Sequence, residues 1–93
     1  MTGYATKYFE DLEIGMSESS EHVITEEAVQ TFAEVSGDFN PLHMDEEYAK
    51  GTIFKGRVAH GALTASFISG ILGNQLPGPG AIFTDLAMQF KRP

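Results

Sequence analysis

The sequence predicts an α+β domain in which a sheet wraps a buried helix. Three observations carry that expectation. Residues 61–76 are apolar nearly all round, with Ala62, Leu63, Ala65, Phe67, Ile68, Ile71 and Leu72 relieved only by Thr64, Ser66 and Ser69. A helix without a polar face belongs inside something. From Ile82 the residues alternate: Ile82, Thr84, Leu86, Met88 and Phe90 share one mostly apolar face, as a half-buried strand requires. Finally, 93 residues that are 42% hydrophobic and 11% aromatic are too apolar for a disordered segment and of a length for one small domain.

Taken in order, Phe9 to Ile24 turns at Gly15 and then runs polar, which fits an edge strand or an extended arm. Thr25 followed by Glu26 and Glu27 marks a helix start, and Val29, Phe32 and Ala33 keep helical spacing until Gly37 stops it. The stretch 37–43 reads as an irregular loop. Asp45 then caps a miniature helix that Gly51 terminates. The apolar helix follows over Gly61 to Leu76, and Pro77-Gly78-Pro79-Gly80 breaks it before the strand that starts at Ile82. The chain stops at Pro93, soon after its one clear strand. A central helix is left with too little sheet, so the expectation is a single domain over 1–93, incomplete at its C-terminus or completed by other copies.

The charge is uneven. Residues 1–50 hold two basic and twelve acidic side chains, and residues 51–93 hold four basic and one acidic, for a net charge of −7. That balance argues against non-specific binding to nucleic acid. No stretch is long and apolar enough to span a bilayer and the N-terminus has no apolar leader segment, so the expectation is a cytoplasmic protein with no membrane partner. Without cysteine there is no disulfide framework and no thiolate nucleophile or ligand. A domain of this size buries only about 60–65% of the surface its unfolded chain exposes, which makes self-association, as a homodimer or higher homo-oligomer, the natural route to stability.

Chemistry is concentrated in Asp38-x-Asn40-Pro41-x-His43. Asn and Pro can hold a tight turn that aims a carboxylate and an imidazole into one space, where two titratable groups could move protons to and from one water. The same residues read equally as an Asx-turn in which Asp38 caps local N–H groups. Asp38, His43 and Asp45 have ligand chemistry for a metal, but no metal-loop spacing accompanies them, and the expectation is no metal and no cofactor. His60-Gly61 opens the apolar helix, where N–H groups and the helix dipole suit an oxygen acquiring negative charge; a glycine admitted for close packing is the alternative. Ser69 is either a small packing residue or a hydroxyl for Asp38 or a ligand.

Taken together, Val35-Ser36-Gly37-Asp38-Phe39-Asn40-Pro41-Leu42-His43, Ala49 five residues on, Val58-Ala59-His60-Gly61 and Leu76-Pro77-Gly78 resemble the MaoC-like, (R)-specific enoyl-CoA hydratase family. The resemblance covers essentially the whole chain. It implies a hot dog fold, an antiparallel sheet wrapped around the long helix, here truncated after the second main strand. It also implies that Asp38 and His43 activate one water that adds to a trans-2-enoyl thioester, giving the (R)-3-hydroxyacyl product, with Gly61 at the thioester oxygen and Ser69, His60 and Asn40 as further substrate-binding residues. The implied partner is acyl-CoA or an acyl carrier protein thioester. Two other readings stand beside it: a non-catalytic fragment or partner subunit that binds acyl thioesters, and a thioesterase on the same fold.

Overall fold

The computed structural model describes residues 6–93; residues 1–5, the start of the stretch read above for a leader segment, lie outside the described residues. Contacts group the chain into two compact units. One holds residues 6–21 with Ala65–Met88, the other His22–Thr64 with Gln89–Pro93.

The second unit is built from short helices whose ends are written in the sequence. Helix α1 spans Glu26–Ser36. Thr25 caps it, its Oγ1 accepting the Ala28 N–H at 3.0 Å, and Glu26 and Glu27 meet the positive end of the helix dipole. Val29 and Ala33, one turn apart, form its buried stripe, at 7% and 0% exposure. Gly37 ends it at φ 79°, a left-handed position where a side chain would be strained, and returns its N–H to the Ala33 carbonyl at 2.8 Å.

The loop expected over 37–43 is partly helical: α2 spans Pro41–Met44. Asn40 caps it through Oδ1 to the Leu42 N–H at 3.0 Å, and Pro41 sits in the first turn, where a missing N–H matters least. The Asn-Pro pair that reads as a turn signal is thus a helix start. Helix α3, Glu46–Lys50, follows with Asp45 as its cap and buries Ala49 completely. Helices α1 and α2 pack together, as do α2 and α3. With Leu63 and His60, these residues make the core.

Helix α4 spans Gly61–Asn74, two residues shorter than expected. Its last turn closes with the N–H groups of Gln75 and Leu76 both on the Ile71 carbonyl, at 2.9 and 3.0 Å, the second a wider, five-residue bond. Gly61–Thr64 belong to the second unit, where Leu63 is buried; Ala65–Asn74 belong to the first. In the first unit Lys7 Nζ donates to the Gln75 carbonyl at 2.7 Å.

The sheet expected around this helix is not formed among the described residues. Residues 81–93 carry no regular secondary structure, and the face expected to be buried is open, with Ile82 84% and Phe90 59% exposed. A strand is defined by the neighbour that takes its N–H and C=O groups; alternation alone supplies the face but not the partner. The edge strand expected over Phe9 to Ile24 is instead a 3-10 turn, Phe9–Asp11, followed by irregular exposed chain. Tyr8 N–H bonds the Asp11 carboxylate there at 2.9 Å, a local bond that competes with extension. No helix among the described residues is long and apolar enough to cross a membrane.

Candidate active site

The second unit gathers three of the residues singled out in the sequence. One ligating atom from each of Asp38, His43 and His60 lies within 4.8 Å of the others. Asp38 is exposed, His43 half-buried and His60 buried at 2% exposure.

The chain reaches Asp38 through a run of small local bonds. Ser36 Oγ donates to the Phe32 carbonyl at 2.7 Å and accepts the Asp38 N–H at 3.1 Å. Asp38 Oδ1 then accepts the Asn40 N–H at 3.1 Å. The Asx-turn reading is therefore correct as geometry. It leaves Oδ2 outside the turn, so the turn aims the carboxylate without consuming it.

His43 is clasped by the segment before α4. Its Nδ1 lies 2.8 Å from the Val58 carbonyl. A carbonyl only accepts, so Nδ1 carries the hydrogen, and the neutral ring keeps its lone pair on Nε2. The Val58 N–H returns to the Leu42 carbonyl at 3.3 Å, and Arg57 Nε donates to the His43 carbonyl at 2.7 Å. Arg57 also reaches Glu26 at the start of α1, 2.8 Å away. Its guanidinium is thus committed inside the unit rather than presented to an anionic ligand.

His60 holds Asp38 from behind. Its Nε2 donates to the Asp38 backbone carbonyl at 3.0 Å, and its ring lies 4.0 Å from that of His43 and 4.8 Å from that of Phe32, centroid to centroid. Its Nδ1 is sealed from solvent with no hydrogen-bond partner among the described residues. The three side chains have the donor set of a metal site, yet His60 has one nitrogen bonded to the Asp38 carbonyl and the other sealed off, and His43 keeps only Nε2 unbonded. A carboxylate and one imidazole nitrogen make a poor site. The arrangement suits a hydrogen-bonded water and proton transfer better.

The remaining candidates are placed differently. Asn40 spends its Oδ1 as the α2 cap. Gly61 opens α4, and a methyl group built on it would fall 3.0 Å from the Phe90 ring. It borders a pocket of about 480 Å³ lined also by Phe54, Val58, Phe90, Lys91 and Arg92. Ser69 belongs to the first unit, where it lines a pocket of about 330 Å³ with Leu72, Gly73, Ile82 and Phe83. The sequence reading missed Val58, Arg57 and Phe32 as supports. No one-dimensional pattern shows which backbone carbonyl an imidazole will meet.

Residues 11–93 match the family model described as the MaoC like domain. The chain belongs to the MaoC-like family. Among curated proteins it is similar to the (R)-specific enoyl-CoA hydratase of Rhodospirillum rubrum, 50% identical over 86 residues that make up 92% of this chain and 60% of that protein. It is also similar to the 3-hydroxybutyryl-CoA dehydratase of Methylorubrum extorquens, 46% identical over 86 residues, 92% of this chain and 55% of that one. Among solved structures, an R-hydratase from Pseudomonas aeruginosa in its unliganded form superposes with a TM-score of 0.81 at 44% identity, covering 90% of this chain and 54% of its own. These MaoC-like relatives support the hot dog fold for the chain. The chain spans little more than half the length of the relatives it matches.

Proposed function

We propose that this MaoC-like chain carries the catalytic half of an (R)-specific enoyl thioester hydratase, in which Asp38 and His43 activate one water. The observation that carries the reading is the bond from His43 Nδ1–H to the Val58 carbonyl, which leaves the Nε2 lone pair unspent on a ring that has a nitrogen within 4.8 Å of the Asp38 carboxylate. The names of the similar proteins supply the substrate class: a trans-2-enoyl-CoA hydrated to an (R)-3-hydroxyacyl-CoA, and the reverse dehydration.

In the forward direction one group of the pair removes a proton from water while the water oxygen bonds the β-carbon. The electron pair of the double bond moves toward the thioester oxygen, and a proton from the pair is delivered to the α-carbon on the same face. Protons balance, and no redox cofactor or metal is required. The Gly61 N–H, at the positive end of α4, is the proposed donor to the thioester oxygen as it gains charge. Asn40 and His60 serve this site by holding the turn and the pair.

A second reading draws on the open apolar side chains of Ile82, Phe83, Leu86 and Phe90. In it the chain is one part of a single hot dog domain whose sheet is completed by further strands or a second copy, as a homodimer or higher oligomer in the cytoplasm, and it binds acyl thioesters without turning them over alone. One experiment separates the two. The chain is mixed with a short trans-2-enoyl-CoA, loss of the conjugated absorbance is followed, the product is resolved by chiral analysis, and Asp38→Asn is the control. Hydration to the (R)-product that the control abolishes supports the enzyme. Thioester binding without hydration supports the partner reading.

A further inference from the structure

The most deeply buried polar side chain among the described residues is not one of the two groups proposed to move protons. His60 stands at 2% exposure between three elements: Phe32 of α1, the Asp38 turn, and His43 of α2. An apolar ring of the same size would fill that space without leaving Nδ1 sealed and unpartnered, an arrangement that native interiors generally avoid. What histidine adds over such a ring is the Nε2–H, and that hydrogen goes to the backbone carbonyl of Asp38 at 3.0 Å. The face of the same ring lies 4.0 Å from His43, at 34°.

We propose that His60 is a positioning residue that fixes Asp38 and His43 relative to each other, acting through the backbone of the first and the ring of the second. It does not touch substrate, because its only unbonded ring nitrogen is closed to solvent. One imidazole thus sets two coordinates: the donor bond holds the Asp38 turn toward α4, and the ring backs His43 while Val58 fixes its tautomer. Misplacing either group lowers the rate of a step that needs both, without changing how tightly substrate is held. The consequence for turnover rests on the hydratase reading above; the consequence for geometry does not.

Two variants divide the roles. His60→Phe keeps a ring and loses the N–H, whereas His60→Gln keeps an N–H at comparable reach and loses the ring. In the ¹⁵N-labelled full chain, His60→Phe is expected to speed hydrogen exchange of the Asn40 amide about tenfold, since that amide bonds Asp38 Oδ1, while the His43 ring pattern is unchanged. His60→Gln is expected to shift and broaden the imidazole ¹H–¹⁵N signals of His43 as its ring loses its backing, the Nδ1–H tautomer being held by Val58, with Asn40 exchange unchanged. With trans-2-enoyl-CoA as substrate, each variant is expected to lower kcat about 10- to 100-fold with KM within about threefold of the parent. Unchanged Asn40 exchange in His60→Phe, or an unchanged His43 pattern in His60→Gln, overturns the proposal that one imidazole fixes both groups. So do changes that merely track a global loss of stability measured by denaturant. Each variant reads a different contact, so failure of one to fold leaves the other decisive. A parent chain that shows the expected spectra but no hydration removes the hydratase reading and leaves the positioning role standing.

Discussion

His43 Nδ1 and the Val58 carbonyl oxygen meet at 2.8 Å, joining a four-residue helix to the segment that leads into α4 across fifteen positions of chain. The bond settles the tautomer of an imidazole and with it the nitrogen that keeps a lone pair. The residues on either side reinforce it: Arg57 takes the His43 carbonyl, and Val58 N–H takes that of Leu42. Three bonds between two short stretches hold one ring more firmly than either stretch would hold itself.

On the proposed mechanism, Asp38→Asn and His43→Asn each lower kcat by about 10² to 10⁴, the usual worth of a positioned acid or base, with KM little changed. Both variants keep the local fold. In Asp38→Asn the new amide oxygen can still accept the Asn40 N–H, and in His43→Asn the new amide nitrogen can still donate to Val58. Steady-state kinetics beside thermal melts check this; turnover that survives Asp38→Asn removes Asp38 from the mechanism.

Arg57 and Glu26 offer an asymmetric pair. The Glu26 side chain is 88% exposed, so Glu26→Gln is expected to lose under about 1 kcal/mol of stability, as open ion pairs do. Arg57→Met also removes the donor to the His43 carbonyl, a partly buried bond from a charged group worth about 1.5–3 kcal/mol, and frees the α2 backbone. Denaturant titration of both variants should show Arg57→Met as clearly the costlier, and it alone should depress turnover.

At Gly61 the neighbour is the Phe90 ring. Gly61→Ala places a methyl 3.0 Å from two of its carbons, and Phe90, 59% exposed, has room to turn away. The expected loss of stability is therefore small, about 1 kcal/mol, and Phe90→Ala should suppress it. A double-mutant cycle in denaturant is the check, and strict additivity would mean that the two positions do not touch.

Thr25→Ala removes the hydroxyl that accepts the Ala28 N–H at 3.0 Å and should cost about 1 kcal/mol. Thr25→Ser should restore most of it. Equal stability of all three chains would show that the α1 start is held by something other than its cap.

Helices α1 and α3 and their ends, and the start of α4, were legible in the order of residues alone, because caps, turn residues and apolar spacing are local matters; α2 was read as loop because its Asn-Pro start is also a turn signal. Thr25 starts α1, Gly37 ends it, and Asp45 and Gly51 bracket α3, all as their residue types require. Asp38, Asn40 and His43 were legible too, since a turn of a few residues brings them together. Contacts between distant positions came only with the folded chain: His43 with Val58, Arg57 with both Glu26 and His43, and His60 with Asp38 over twenty-two residues. So did the fate of residues 82–90, whose alternation promised a strand. A helix closes its hydrogen bonds within its own segment and can be read from that segment. A strand and a positioned imidazole depend on partners brought up by the rest of the fold, which no local pattern names.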